Sequence, residues 1–315
     1  MRSATFHTFG DPSVLRVEET DWPTATRDEV LIHVHASSIN GTDLGLRAGQ
    51  GPFRLAVRLP FTPGFDVAGV VVRCGPQVTA FHVGDPVMAL LGHGGGGAAE
   101  YVAVRQSRVA RAPERLSLLH AAAVPLSGLT ALQGLRRGAA LHTQPRARVL
   151  VIGAAGGIGS FAVQLARLYG AHVTGVARPE KQPYVRDLGA DDTCTPDELN
   201  GPSFPAWDVI LDAAPRLTLS AARPLLTARG VLVSVRPIPT QWPEVRSLAH
   251  PGGHPRFYGV QTRERGQDLS LLAHLIGTGQ LRVPVDRSYP LTQIQDAHRY
   301  AEGPEVRGKV IVTSV

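Results

Sequence analysis

The sequence predicts an α/β protein in which a doubly wound parallel-sheet segment is inserted within a β-rich domain. Three observations carry this expectation. Residues 148–181 read as strand, glycine turn, helix, strand and basic tip, the plan of a βαβ unit. The stretch before it is a series of short apolar strands divided by turns, and strand–helix alternation begins only at Val149. After about Tyr258 a single helix leads back into strands, so the parallel segment is flanked by β-rich sequence on both sides.

The elements follow in order. Residues 29–36 place Val30, Ile32, Val34 and Ala36 on one strand face. Residues 66–73 and 84–91 give further strands, with turns at Gly75-Pro76 and Gly84-Asp85. Residues 120–140 read as helical. Residues 149–152 form a short apolar run suited to a buried parallel strand. Gly153, Gly156, Gly157 and Gly159 then crowd a tight turn. From Ile158 the apolar positions 158, 161, 162, 165, 166 and 169 share one helix face, Gly170 closes that helix, and 172–177 is a second apolar run. Strands are expected at 207–212 and 230–235, a helix at 269–278, and strands at 281–285 and 309–313. The expected division is 1–122 with 258–315 for the β-rich domain and 123–257 for the parallel-sheet domain.

Composition excludes several classes. In 315 residues there is no run of about 18 apolar residues, so no membrane span is expected. The N-terminus lacks the apolar segment of a secretory signal, and the two cysteines, Cys74 and Cys194, lie far apart. A reducing, cytoplasmic setting is therefore expected. The net charge is +6, yet the basic residues are scattered and no basic run of five or more occurs, so nucleic-acid binding is not expected. Only two of the 32 basic residues are lysine, Lys181 and Lys309. A lysine that survives such an arginine bias suits a place where a compact point charge is wanted, or is an accidental leftover.

The βαβ unit is the kind that holds a dinucleotide pyrophosphate on a helix N-terminus. Its glycines depart from the G-x-G-x-x-G frame: Ala154 takes the first place, with Gly156 and Gly159 in the second and third. The backbone N–H groups of Gly156, Gly157 and Ile158 are expected to meet the pyrophosphate, with Gly153 and Ala155 in the same turn.

Taken together, Ser37-Ser38-Ile39-Asn40, the run from Pro63 to Gly69 (PGFDVAG), Val83-Gly84-Asp85, the run from Gly94 to Tyr101, Ala123 to Leu132, the AAGGIG turn, Leu188-Gly189-Ala190-Asp191 and Gly308-Lys309-Val310 resemble the medium-chain dehydrogenase/reductase superfamily. The resemblance is to its zinc-independent quinone oxidoreductase branch, and the glycine run before Ala99-Glu100-Tyr101 is most similar to the chloroplast-type quinone or alkenal reductases. It implies a GroES-like β-rich catalytic domain with an inserted Rossmann domain, and a homodimer. Zinc members of the superfamily use an early cysteine and a Gly-His-Glu motif for the catalytic metal. Here Asn40 and Gly64-Phe65-Asp66 stand in those places, and the structural zinc would need four close cysteines. His33/His35, His93, His250 and His254 lack a supporting cysteine or carboxylate cluster, so no metal is expected.

The cofactor expectation is NADPH. NAD enzymes of this fold carry an acid at the tip of the second strand; here the strand runs into Arg178-Pro179-Glu180-Lys181. Arg178 and Lys181 suit a 2′-phosphate, or are solvated loop charges with Glu180 offsetting them. The resemblance places Asn40 at the nicotinamide ribose as the catalytic-cleft side chain, Thr130 beside the nicotinamide and phosphates, and Lys309 close to the cofactor. The alternatives are an Asx-turn asparagine, a helix-face threonine and a strand-surface lysine. Arg47, Arg54 and Arg58 face an anionic acceptor or are solvated. Without metal assistance, hydride transfer suits a quinone or an α,β-unsaturated carbonyl, whose conjugation carries the developing charge. Two other readings stand beside this one. An enoyl-thioester reductase is disfavoured because residues 46–60 hold no tyrosine; the other is a non-catalytic NADPH-binding protein.

Overall fold

In the computed structural model the described residues are 1–50, 57–200, 204–236 and 256–314. They form two compact units, 1–129 with 263–315, and 130–262. Along the chain come β1 (Arg2–Phe6), β2 (Leu15–Glu19), β3 (Glu29–Ile39), α1 (Gly41–Arg47), β4 (Asp66–Cys74), β5 (Pro86–Leu90), β6 (Tyr101–Arg105), β7 (Val109–Arg111), α2 (Leu118–Ala121) and α3 (Pro125–Gln133). The second unit continues with β8 (Arg148–Ile152), α4 (Gly157–Leu168), β9 (His172–Val176), α5 (Gln182–Asp187), β10 (Asp192–Cys194), β11 (Trp207–Asp212), α6 (Leu219–Ala222), β12 (Leu226–Ser234) and β13 (Arg256–Gly259). The chain then returns to the first unit with α7 (Gly266–Gly277), β14 (Val285–Pro290), α8 (Ile294–Ala301) and β15 (Lys309–Thr313).

The first unit is built on a seven-stranded sheet of order β14-β15-β3-β4-β5-β7, with β6 also pairing β3. Alternation along β3 sends Val30, Ile32 and Val34 into a core with Val67, Val71, Val87 and Val109. The partner of β3 on one side is β4 and on the other β15, both antiparallel. This register brings the C-terminal end of β3, the start of β4 and the start of β15 together: Ser38 pairs Asp66, and Ile39 pairs Val310.

The second unit is an all-parallel sheet of order β10-β9-β8-β11-β12-β13. Counted from β8 this is the 3-2-1-4-5-6 order of a Rossmann domain, and the strand order reverses between β8 and β11. Its strands are buried on both faces, with Leu150, Ile152, Ile210 and Leu232 in one core cluster. Helix α4 buries Phe161, Ala162, Leu165 and Ala166 completely, the stripe read from its periodicity.

Two local expectations are corrected. The strand expected at 281–285 begins only at Val285. Leu281 still closes helix α7, donating its N–H to the Leu275 carbonyl, and Pro284 has no N–H to give a ladder. The helix expected over 120–140 is split, because α2 ends at Ala121 and α3 gives way to a wide π-helical turn at Gly134–Gly138.

Candidate functional site

In the second unit the turn after β8 lies at the reversal of strand order. Gly153 carries φ of 74°, the left-handed value that L residues avoid, so it supplies the sharp bend. That is why Ala154, in the frame's first glycine place, is tolerated: the bend sits one residue earlier, and Ala154 is wholly buried. A Cβ on Gly159 would overlap the Gly153 carbonyl oxygen, so this glycine lets the helix approach the strand. Gly156 is different: its nearest atom to an added Cβ is 3.4 Å away. Gly156 caps α4 without a side-chain hydrogen bond to the first turn. The free N–H groups of a 12-residue helix, at Gly157, Ile158 and beyond, thus begin beside partly exposed backbone. The residues present fit a pyrophosphate. Ala155 lines the turn and is buried.

At the tip of β9, Arg178 and Glu180 are exposed and Lys181 is half-buried; Lys181 N–H donates to the Arg178 carbonyl in a short 3-10 turn. Thr130 is buried in α3, and its hydroxyl lies 2.7 Å from that of Thr262.

In the first unit a buried polar network surrounds Asn40. Asn40 lies between β3 and α1 as the helix N-cap; Asp43, three residues on, accepts its backbone N–H at 2.9 Å. The other Asp43 oxygen accepts from Gly64 N–H at 2.7 Å. Asp66, with no exposure, accepts from Ser38 Oγ at 2.5 Å, Leu126 N–H at 2.6 Å and Asn40 Nδ2 at 2.9 Å. Lys309 is 2 % exposed. Its Nζ donates to Asn40 Oδ1 and lies 3.3 Å from Asp66 Oδ2. These neighbours fix the amide: its oxygen faces an ammonium and its NH₂ faces carboxylates. Lys309 is therefore no strand-surface lysine but the counter-charge of a buried network. Asp43 is pushed up to about 6, first by burial; the Asp66 charge adds to this, while the N–H donors and Lys309 act against it.

Asp43 and Ser38 were not singled out by the sequence reading. The signal available was an aspartate three residues after Asn40 at a helix start, a capping pattern. Arg47 was read as facing an acceptor or solvent. It is instead 1 % exposed, its guanidinium bound to Gly10 O and to Glu302. Arg54, His250 and His254 lie outside the described residues. Among the described residues no group of three or more His, Cys, Asp or Glu is placed to hold a metal ion, and no helix is long and apolar enough to cross a membrane.

Beside Arg47, the buried His298 imidazole is pushed down to about 3, first by burial and then by the guanidinium. Its unfolded value is near 6.5, so the stability it contributes is present above that pH and is lost as pH falls towards 3. Asp43 has the opposite sign, its raised value favouring the fold as pH falls below about 6. The histidine displacement is the larger, so stability is expected to fall on acidification from pH 6.5, and less steeply in His298→Gln. Urea unfolding between pH 4 and 7 checks this; equal slopes in both proteins would rule out the histidine as the cause.

Residues 26–114 match the alcohol dehydrogenase GroES-like domain family, and residues 187–312 the zinc-binding dehydrogenase family. The chain is 33 % identical over 302 residues to a chloroplast envelope quinone oxidoreductase homolog of Arabidopsis thaliana, covering 92 % of this chain and 91 % of that protein. It is 30 % identical to the mouse mitochondrial NAD(P)H oxidoreductase RTN4IP1, over 91 % of this chain and 82 % of that one. The structure of the quinone oxidoreductase from Coxiella burnetii superposes with a TM-score of 0.88 at 28 % identity, over 100 % of this chain and 99 % of that one. The GroES-like and Rossmann units and these relatives define an oxidoreductase of the medium-chain dehydrogenase/reductase type. Within that superfamily the chain belongs to the quinone oxidoreductase branch.

Proposed function

We propose that the chain is an NADPH-dependent, zinc-independent oxidoreductase that delivers hydride to a quinone or an α,β-unsaturated carbonyl. The observation that carries this reading is the helix α4 N-terminus, left without a side-chain cap at the point where the strand order reverses. When bound, the reduced nicotinamide supplies the hydride. The chain's residues bind and orient. Gly157 and Ile158 offer backbone N–H groups to the pyrophosphate, in the turn formed by Gly153, Ala155 and Gly156; the Gly156 N–H itself donates to the Gly153 carbonyl. Arg178 forks a 2′-phosphate, with Lys181 as a second charge, and Thr130 stands beside the nicotinamide and phosphates.

In the first unit Asn40 is the cleft side chain. Its NH₂ is already committed to carboxylates, so what it offers is the second lone pair of Oδ1, an acceptor for a ribose hydroxyl. Lys309 holds that oxygen in place. Phe65 has no donor atom for a metal, and both Asp66 oxygens are taken by hydrogen bonds. An acceptor that spreads its own charge is therefore favoured over a simple ketone. The division into 1–122 with 258–315 as catalytic domain and 123–257 as cofactor domain, action as a homodimer and a cytoplasmic setting belong to the same proposal.

The test is steady-state NADPH oxidation with 1,4-benzoquinone, 9,10-phenanthrenequinone, an alkenal and crotonyl-CoA. Turnover on the quinones or alkenal is expected. Turnover on crotonyl-CoA alone points to the thioester reductase, and tight NADPH binding without any turnover points to a binding protein. A second prediction concerns Arg178→Ala, which is expected to raise KM for NADPH by about tenfold or more, as loss of a charge-assisted phosphate contact implies. KM for NADH should change little. Equal effects on the two would remove Arg178 from the 2′-phosphate.

A further inference from the structure

His33 and His35 stand two apart on β3 and share the face opposite the core residues Ile32 and Val34. Strand pairing is irregular at this point. His33 pairs Val70, Val34 pairs Gly69 and Ala36 pairs Ala68, so His35 is the extra residue of a bulge. The bulge depends on Gly69, where a Cβ would overlap the His33 carbonyl oxygen. The two imidazoles meet edge to face, with ring centres 5.4 Å apart and planes at 70°.

Two imidazoles bound to one ion at about 2.0–2.1 Å, with a tetrahedral angle between them, have ring centres about 5 Å apart. The observed spacing is close to that value. Both side chains are half-buried, and neither ring makes a hydrogen bond to a described residue; their partners are each other and Tyr101. Tyr101 stacks on His33 at 4.9 Å, and Trp22, 60 % exposed, lies 4.3 Å from Tyr101. These contacts hold the His33 ring. The nearby Glu100 is bound to Arg2 at 2.7 Å and is not free to join.

We propose that His33 and His35 form an open, two-imidazole site for a single divalent transition-metal ion, separate from the Asn40 network. Imidazole ligands select zinc, nickel and copper over magnesium and calcium, and Cu(II) binds most tightly of the first-row series. Water fills the remaining positions.

The test titrates the untagged chain with Cu(II), following tryptophan emission and the electron paramagnetic resonance spectrum. Expected are saturable binding of one ion per chain at the imidazoles, quenching of the exposed Trp22, and weaker binding of Zn(II). His33→Gln and His35→Gln should each lose the site while keeping the parent's thermal unfolding midpoint. Trp22→Phe should keep the binding and lose the quench, and His7→Ala should change neither. Binding that is absent, or that survives either His33→Gln or His35→Gln unchanged, overturns the proposal.

Discussion

Lys309→Met is expected to destabilise the chain by about 3–5 kcal/mol, the cost of removing one partner from a buried ion pair. Asp66 would be left buried with no cation beside it, and Asn40 Oδ1 would lose its donor. A strand-surface lysine would cost under about 0.5 kcal/mol by the same replacement. The two magnitudes are far enough apart for urea unfolding to decide. Removing the carboxylate charge as well should recover part of the loss, so Lys309→Met with Asp66→Asn is expected to be less damaging than the sum of the single changes. Strict additivity would show that the two groups do not act as a pair.

The second large effect separates two glycines of one turn. Gly159→Ala pushes a Cβ into the Gly153 carbonyl oxygen and to within 2.7 Å of Ala154 Cα, both backbone atoms that cannot swing aside. A stability loss of about 1–3 kcal/mol is expected from such overpacking. Gly156→Ala meets nothing nearer than 3.4 Å and has ordinary backbone angles, so stability should change by less than about 1 kcal/mol. Its methyl group instead occupies the space a pyrophosphate needs to reach the helix N–H groups. Thermal unfolding and NADPH fluorescence titration, run on both variants, read the two effects apart. Normal NADPH binding by a stable Gly156→Ala would remove this turn from the cofactor cradle.

Much of the fold was legible because its signals are local. The buried runs of β8 and β11 and the apolar stripe of α4 are set by residues a few positions apart, and periodicity reports them directly. The glycine turn was legible as a tight turn opening a helix, although the transfer of its positive φ to Gly153 was not. What escaped depends on distant partners. Arg47 is buried because Glu302, more than two hundred residues later, answers its charge. Lys309 meets Asn40 only because β15 pairs with the end of β3. An arginine or lysine in isolation reads as solvated, and no spacing rule announces its counter-ion. The strand misplaced at 281–285 shows a different limit: an apolar run beside a proline serves a helix end as readily as a strand.

The burial of Lys309 also sets how the folded chain meets amine chemistry. With only two lysines in the sequence, and one of them sealed beneath Asn40 and Asp66, an acylating reagent finds Lys181 as its lysine target. A dye or cross-linker on Lys181 thus marks the tip of β9 without engineering a single residue. The same reagent reaching Lys309 marks the moment when the β-rich unit has opened.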